Sequence, residues 1–113
     1  MKTKDLQKNI DNWIKKYGVR YFDIRTNTLL LMEEIGEFSR LIARMYGEQS
    51  FKVEITEEEQ KNKMQDELGD ILFVLICIAN QTDTNLQEVM EKNLAKKSQR
   101  DYQRHHHNPK LNG

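Results

Sequence analysis

At 113 residues the chain has room for one domain and none for a second, since domains run to about 100 to 200 residues. Its 18 Lys plus Arg cancel its 18 Asp plus Glu, so no global field draws it to nucleic acid or anionic lipid, and non-specific DNA binding is not expected. The longest apolar run, residues 71–79, falls short of the roughly 20 residues a membrane-spanning helix needs.

The polar, amphipathic start lacks the apolar core and small-residue cleavage site of a secretory signal, and a cytoplasmic location is expected. One proline and five glycines are too few breakers for a many-stranded protein, so the expected class is all-α. The first helix spans residues 5–17, with Leu6, Ile10, Trp13, Ile14 and Tyr17 at helical spacing and Gly18 placed for a left-handed cap. A second begins near Thr26 or Asn27, carries Leu31, Ile35, Phe38, Ile42 and Met45 at intervals of three and four, and ends at Gly47. After a loop over residues 48–55, Thr56 and Glu59 match a capping box that opens the third helix. That helix turns apolar on every side over residues 71–79, as a helix does when neighbours enclose it. Within this run Cys77, the lone cysteine, reads as a small buried hydrophobe; alone it forms no internal disulfide or thiolate zinc site. Residues 84–87 cap again, and Leu86, Val89, Met90 and Leu94 open a fourth helix that ends before Pro109.

Charge is balanced in total but segregated along the chain. Residues 33–70 hold eleven acids against five bases, net −6, whereas residues 92–113 hold six bases against Asp101. Two clusters concentrate the acids: Glu33, Glu34 and Glu37 in mid-helix two, and Glu67 with Asp70 where helix three becomes apolar. Residues three apart on a helix share a face, so each pair can reach one point in space. Gly36 and Gly69 beside them weaken the helix by about 1 kcal/mol each relative to alanine, which suggests close approach of another backbone. One such pair is ordinarily a solvated face. Two pairs, facing each other if helices two and three pack antiparallel, repel by roughly 3 kcal/mol per carboxylate pair at about 5 Å. A divalent cation relieves this, and all-oxygen ligands suit Mg²⁺ or Mn²⁺ before Zn²⁺.

Glu33-Glu34-x-x-Glu37, a spacer of 29 residues and Glu67-x-x-Asp70 resemble the signature of the MazG-like all-α nucleoside triphosphate pyrophosphohydrolases. The strings EEIGEFSR, YGE, DELGDILFVLICIAN and KKSQRDYQR resemble a small single-domain bacterial subgroup, over roughly residues 17 to 104. The resemblance implies a four-helix, MazG-like bundle and Mg²⁺ held by Glu34, Glu37, Glu67 and Asp70. It also implies hydrolysis of a nucleoside triphosphate to monophosphate and pyrophosphate, and a homodimer or dimer of dimers with sites near the subunit interface. The spacer is slightly longer than typical, which bears on the loop over the site and not on the ligands.

The remaining charged groups keep alternatives. Glu33 points about 100° from Glu34 and is a ligand or a support for one, an acid–base group for the attacking water, or solvated. Lys96, Arg100 and Arg104 fall four apart on one stripe of helix four, suited to grip phosphate oxygens or to lie solvated; the resemblance favours Lys96 and Arg100 for phosphate. Trp13, Tyr17, Tyr21 and Phe22 are assigned to packing rather than to a base. The adjacent His105, His106 and His107 cannot converge as metal ligands, and residues 105–113 are expected to form a disordered polar tail beyond a domain of residues 1–104.

A di-iron carboxylate bundle is excluded, because no Glu is followed by His three residues on. The rival function is a non-enzymatic helical dimerisation or adaptor module, which predicts no divalent-ion effect. Either way a homo-oligomer is expected, since three flanking helices supply limited cover for residues 71–79.

Overall fold

The computed structural model describes the chain except Gln49, Lys52 and Gly113, and side chains except those of Asp101, Tyr102, Gln103, His105, His106 and Asn112. The described residues are all-α: α1 (Thr3–Trp13) prolonged by a π-type turn (Ile14–Gly18), α2 (Ile24–Tyr46), α3 (Glu57–Gln81), α4 (Leu86–His106) and the short α5 (Pro109–Asn112). The four long helices match those expected, with differences at their ends. The Asp23 carboxylate accepts from the Arg25 backbone N–H at 2.8 Å and starts α2 at Ile24, before the expected Thr26 or Asn27. Asn27 is instead buried, its Nδ2 donating to Gln81 Oε1 at 2.8 Å. Thr56 does cap α3, its hydroxyl oxygen accepting from the Glu59 N–H at 3.1 Å.

The left-handed residue after α1 is Val19 (φ 68°), not Gly18. Widening the last turn to π geometry carries the helix through Gly18, so the reversal falls one residue later. The Arg20 N–H donates to the Gly18 carbonyl at 2.8 Å, closing a γ-turn around Val19, a strained conformation for a β-branched residue. At the end of α2, Gly47 is required by space: a Cβ there would lie 2.5 Å from the Ala43 carbonyl oxygen.

Helices α2 and α3 form the central hairpin and share the most extensive packing in the chain, with α1 laid against α3. Ile14, Leu41, Ile76, Cys77 and Ala79 are the buried hydrophobic residues, so Cys77 occupies the apolar position expected of it. The enclosure of residues 71–79 is partial within the chain. Ile76 is fully buried, but Leu72 is 45% and Leu75 40% exposed, because α4 packs chiefly on α1 and α5. The glycines do not mark a close approach within this chain, where a Cβ on Gly36 or Gly69 would meet nothing within 4 Å.

A polar network ties α1 to the α3–α4 turn. Gln7 Nε2 donates to Asn80 Oδ1 at 3.1 Å and to the Thr84 carbonyl at 2.8 Å, while Gln7 Oε1 accepts from the Leu86 N–H at 2.9 Å. Gln7 therefore supplies a cap for α4 from 79 positions away, beside the local cap in which Asn85 Oδ1 accepts from the Glu88 N–H at 3.2 Å. Asn80 Nδ2 donates to the Tyr21 hydroxyl oxygen at 3.0 Å, and the Tyr21 hydroxyl donates to Asp11 Oδ1 at 2.6 Å. The Lys15 ammonium at 2.7 Å and the Tyr21 hydroxyl hold the Asp11 carboxyl below its ordinary value.

Burial, then the Asp11 carboxylate, pushes the Tyr21 hydroxyl up to about 12. A folded-state value above the unfolded 10.0 means a contribution present in full below pH 10 and lost as pH rises toward 12. Tyr21→Phe is expected to cost about 1 to 2 kcal/mol at pH 8. In denaturant titrations the gap between wild type and variant should narrow at pH 11; an equal gap at both values would remove Tyr21 from the network's energetics.

Candidate metal centre

The acids converge because α2 and α3 are long, unbroken and antiparallel. Asn27 meets Gln81 at one end of the hairpin, and Met45 and Tyr46 share a cleft with Gln60 and Met64 at the other. That register sets the middle of α2 against the middle of α3. One carboxylate oxygen each from Glu34, Glu67 and Asp70 lies within 4.8 Å of the others. Glu34 and Glu67 are half-buried and Asp70 is exposed, so the cluster opens from the helix interface toward solvent.

Among the described residues, none of these carboxylates forms an ion pair. Glu34 Oε2 and Glu67 Oε2 are buried without a hydrogen-bond partner among the described residues. Leaving a buried acceptor unsatisfied costs about 1 to 3 kcal/mol, and more when it is charged. Glu67 accordingly has its carboxyl pushed up to about 7, by burial first and then by Glu34 and Glu37 beside it. Hard oxygen donors from two helices with orphaned lone pairs fit a divalent cation, and they fit no packed apolar or ion-paired role.

The other expected site residues fall outside this triad. Glu37, one turn beyond Glu34, adds its charge to the field at Glu67 and lines the adjoining cleft. Glu33 is exposed. Lys96, Arg100 and Arg104 lie exposed on α4, whose main packing is against α1 and α5, and the structure does not bring this stripe to the acids within one chain. The His105 and His106 side chains lie outside the described set, and His107 is exposed. Trp13 packs edge-on against Phe73 and tilted against Tyr17, each at 5.6 Å between ring centroids, yet Trp13, Tyr17 and Phe22 are each half exposed or more, so in the single chain these rings line the surface rather than the expected core, and Tyr21 is half-buried.

Next to the acids is a cleft of about 400 Å³ lined by Glu37, Arg40, Leu41, Arg44, Phe51, Lys63, Asp66 and Glu67. Sequence reasoning passed over Arg40, Arg44, Lys63 and Phe51. Their signal was available in part: Arg40 and Arg44 follow Glu37 by three and seven residues, and Lys63 precedes Glu67 by four, so each shares a face with an acid.

Comparison with known proteins gives a consistent picture. Residues 22–105 match the model of the MazG nucleotide pyrophosphohydrolase domain. The protein YpjD of Bacillus subtilis (strain 168) is 37% identical over 101 residues, covering 89% of this chain and 87% of that protein. The crystal structure of YpjD from Bacillus subtilis aligns with a TM-score of 0.74 at 33% identity, covering 85% of this chain and 94% of that one. That of a Bacillus-conserved MazG protein, a nucleotide pyrophosphohydrolase, aligns with a TM-score of 0.70 at 31% identity, covering 85% and 88%. A facing pair of Glu-x-x-Glu and Glu-x-x-Asp turns on an all-α hairpin, inside a domain match that spans most of the sequence, shows that the chain belongs to the MazG nucleotide pyrophosphohydrolase family.

Proposed function

We propose that this enzyme hydrolyses nucleoside triphosphates to the monophosphate and pyrophosphate, using Mg²⁺, or Mn²⁺ in its place, held by Glu34, Glu37, Glu67 and Asp70. The observation that carries this reading is the pair of buried oxygens Glu34 Oε2 and Glu67 Oε2, without a hydrogen-bond partner among the described residues, in a cluster of Glu34, Glu67 and Asp70 that spans two helices. A bound divalent cation supplies charge neutralisation at the phosphate oxygens and orientation of the attacking water. The chain's own groups do the rest. Packing between α2 and α3 holds the ligand carboxylates in place, so little reorganisation is needed when substrate arrives. Glu33, exposed and turned about 100° from Glu34, takes up a proton from the attacking water. Lys96, Arg100 and Arg104 grip phosphate oxygens, and they reach an acidic site only in an assembly of chains.

That assembly is a homodimer or dimer of dimers of a domain spanning residues 1–104, in the cytoplasm. The Cα radius of gyration is 18.3 Å, against about 13 Å for a compact chain of this size. Leu68, Leu72 and Leu75 on α3 and Leu29 and Met32 on α2 are all 40% exposed or more. Gly36 shares the Leu29–Met32 face at helical spacing, so the backbone approach its sequence suggests is assigned to a second copy. Light scattering at micromolar concentration should return at least twice the 13.5 kDa chain mass; a monomer would overturn the assembly.

The activity is tested by pyrophosphate release from a panel of standard and modified nucleoside triphosphates, with Mg²⁺ and with EDTA. Saturating Mg²⁺ at about 100 times its dissociation constant should stabilise the fold by about 2.7 kcal/mol, a rise in Tm of roughly 10 °C. Glu67→Gln and Asp70→Asn should each abolish that rise and lower pyrophosphate release by about 100-fold or more. Without metal both variants should melt at or above the wild-type temperature, because repulsion among the acids falls. Unchanged melting with Mg²⁺, and no release from any triphosphate, would instead support the adaptor reading.

A further inference from the structure

Beside the acids, the groove between α2 and α3 gains basic groups along its length. Toward Glu34 and Asp70 it carries carboxylates. Past Glu37 and Glu67, which line both the acidic cluster's surroundings and the adjoining cleft, it carries Arg40, Arg44 and Lys63. Arg40 and Arg44 stand about 4.5 and 10.5 Å along the α2 axis from Glu37, one and two turns on. Half-buried Phe51 and buried Leu41 complete the walls. Although Glu37 and Asp66 line the same cleft, none of the three cations forms an ion pair or side-chain hydrogen bond with another described residue. Three positive charges are thus available to a ligand beside the acidic cluster.

We propose that this cleft seats the pyrophosphate end of the substrate, with Arg40, Arg44 and Lys63 contacting its phosphate oxygens. The proposal rests on the pyrophosphohydrolase reading and adds to it a phosphate subsite distinct from the α4 stripe. Charge decides between the two ends of a nucleotide. A neutral base and sugar offers no charged acceptor to Arg40, Arg44 and Lys63, whose donors make no ion pair with the Glu37, Asp66 or Glu67 carboxylates of the same cleft, whereas pyrophosphate presents several anionic oxygens. Two guanidiniums offer paired donors to such oxygens and the Lys63 ammonium a point charge. Phe51 and Leu41 thin the water around the cleft, which strengthens these contacts. Polarity along the groove then orients the substrate, its terminal phosphates toward the α2–α3 loop and its nucleoside end away from it.

The test uses the full chain with saturating Mg²⁺ and inorganic pyrophosphate as the probe. Binding is followed by titration calorimetry for wild type, Arg40→Gln, Arg44→Gln, Lys63→Gln and Arg44→Lys, with circular dichroism confirming unchanged helix content and Tm. The three Gln variants should each weaken pyrophosphate binding about ten- to a hundredfold. Arg44→Lys should fall between Arg44→Gln and wild type. Inhibition by the nucleoside monophosphate product should change less than twofold. Pyrophosphate affinity within twofold of wild type in all three Gln variants would overturn the proposal. So would a larger loss for the monophosphate than for pyrophosphate, which would move the nucleoside end into the cleft. A wild type that binds pyrophosphate through these cations yet releases none from any triphosphate would sink the activity and keep the subsite. Hydrolysis with variant-insensitive pyrophosphate binding would do the reverse.

Discussion

Carboxylates held face to face across the α2–α3 hairpin are the constraint that organises this protein. Glu34, Glu67 and Asp70 are brought within 4.8 Å although their mutual repulsion opposes it. The positioning must come from elsewhere in the hairpin. Leu41 and Ile76 bury apolar surface along it, and the Asn27–Gln81 hydrogen bond fixes its register at one end. Two of the carboxylate oxygens, without a hydrogen-bond partner among the described residues, are a standing cost that the surrounding packing outweighs. A site built this way is ready for a cation before one binds, which is the arrangement favoured when ligands must not reorganise during reaction.

The peripheral elements are joined to the hairpin mainly by polar contacts. Gln7 meets Asn80, Thr84 and Leu86 through side-chain and backbone bonds, and Tyr21 links Asn80 to Asp11. These bonds set the angle at which α4 leaves the α3–α4 turn. Since α4 then packs chiefly on α1, the outer face of α3 keeps Leu68, Leu72 and Leu75 exposed. The proposed assembly follows from the same geometry, because the helix that could have covered this face is directed away from it.

Helix content was legible locally. The Thr56 cap, the three-and-four spacing of α2 and the apolar run of α3 are each contained within a few turns of sequence, where periodicity reports directly on a helix face. The differences arose where a local rule met a tertiary partner. Asn27 suits a helix start, yet Gln81 holds it inside the hairpin and Asp23 takes the cap. Gly18 suits a left-handed cap, yet the π-type turn carries the helix past it and leaves the positive φ to Val19.

By itself the sequence determined the all-α class, four long helices, two acidic turns at three-residue spacing and, through those motifs, the family. All of these are short-range patterns or strings that a single segment carries whole. Only the tertiary structure decided how the acids converge, with one oxygen each of Glu34, Glu67 and Asp70 within 4.8 Å of the others and Glu37 beside Glu67. It also decided that Arg40, Arg44 and Lys63 share that cleft, and that Gly36 and Gly69 face open space in the single chain. The physical reason is that helical spacing fixes directions around one axis only. The axial register of α2 against α3, and the direction of α4, depend on contacts such as Asn27 with Gln81 and Gln7 with Leu86, between residues 54 and 79 positions apart, which no local periodicity encodes.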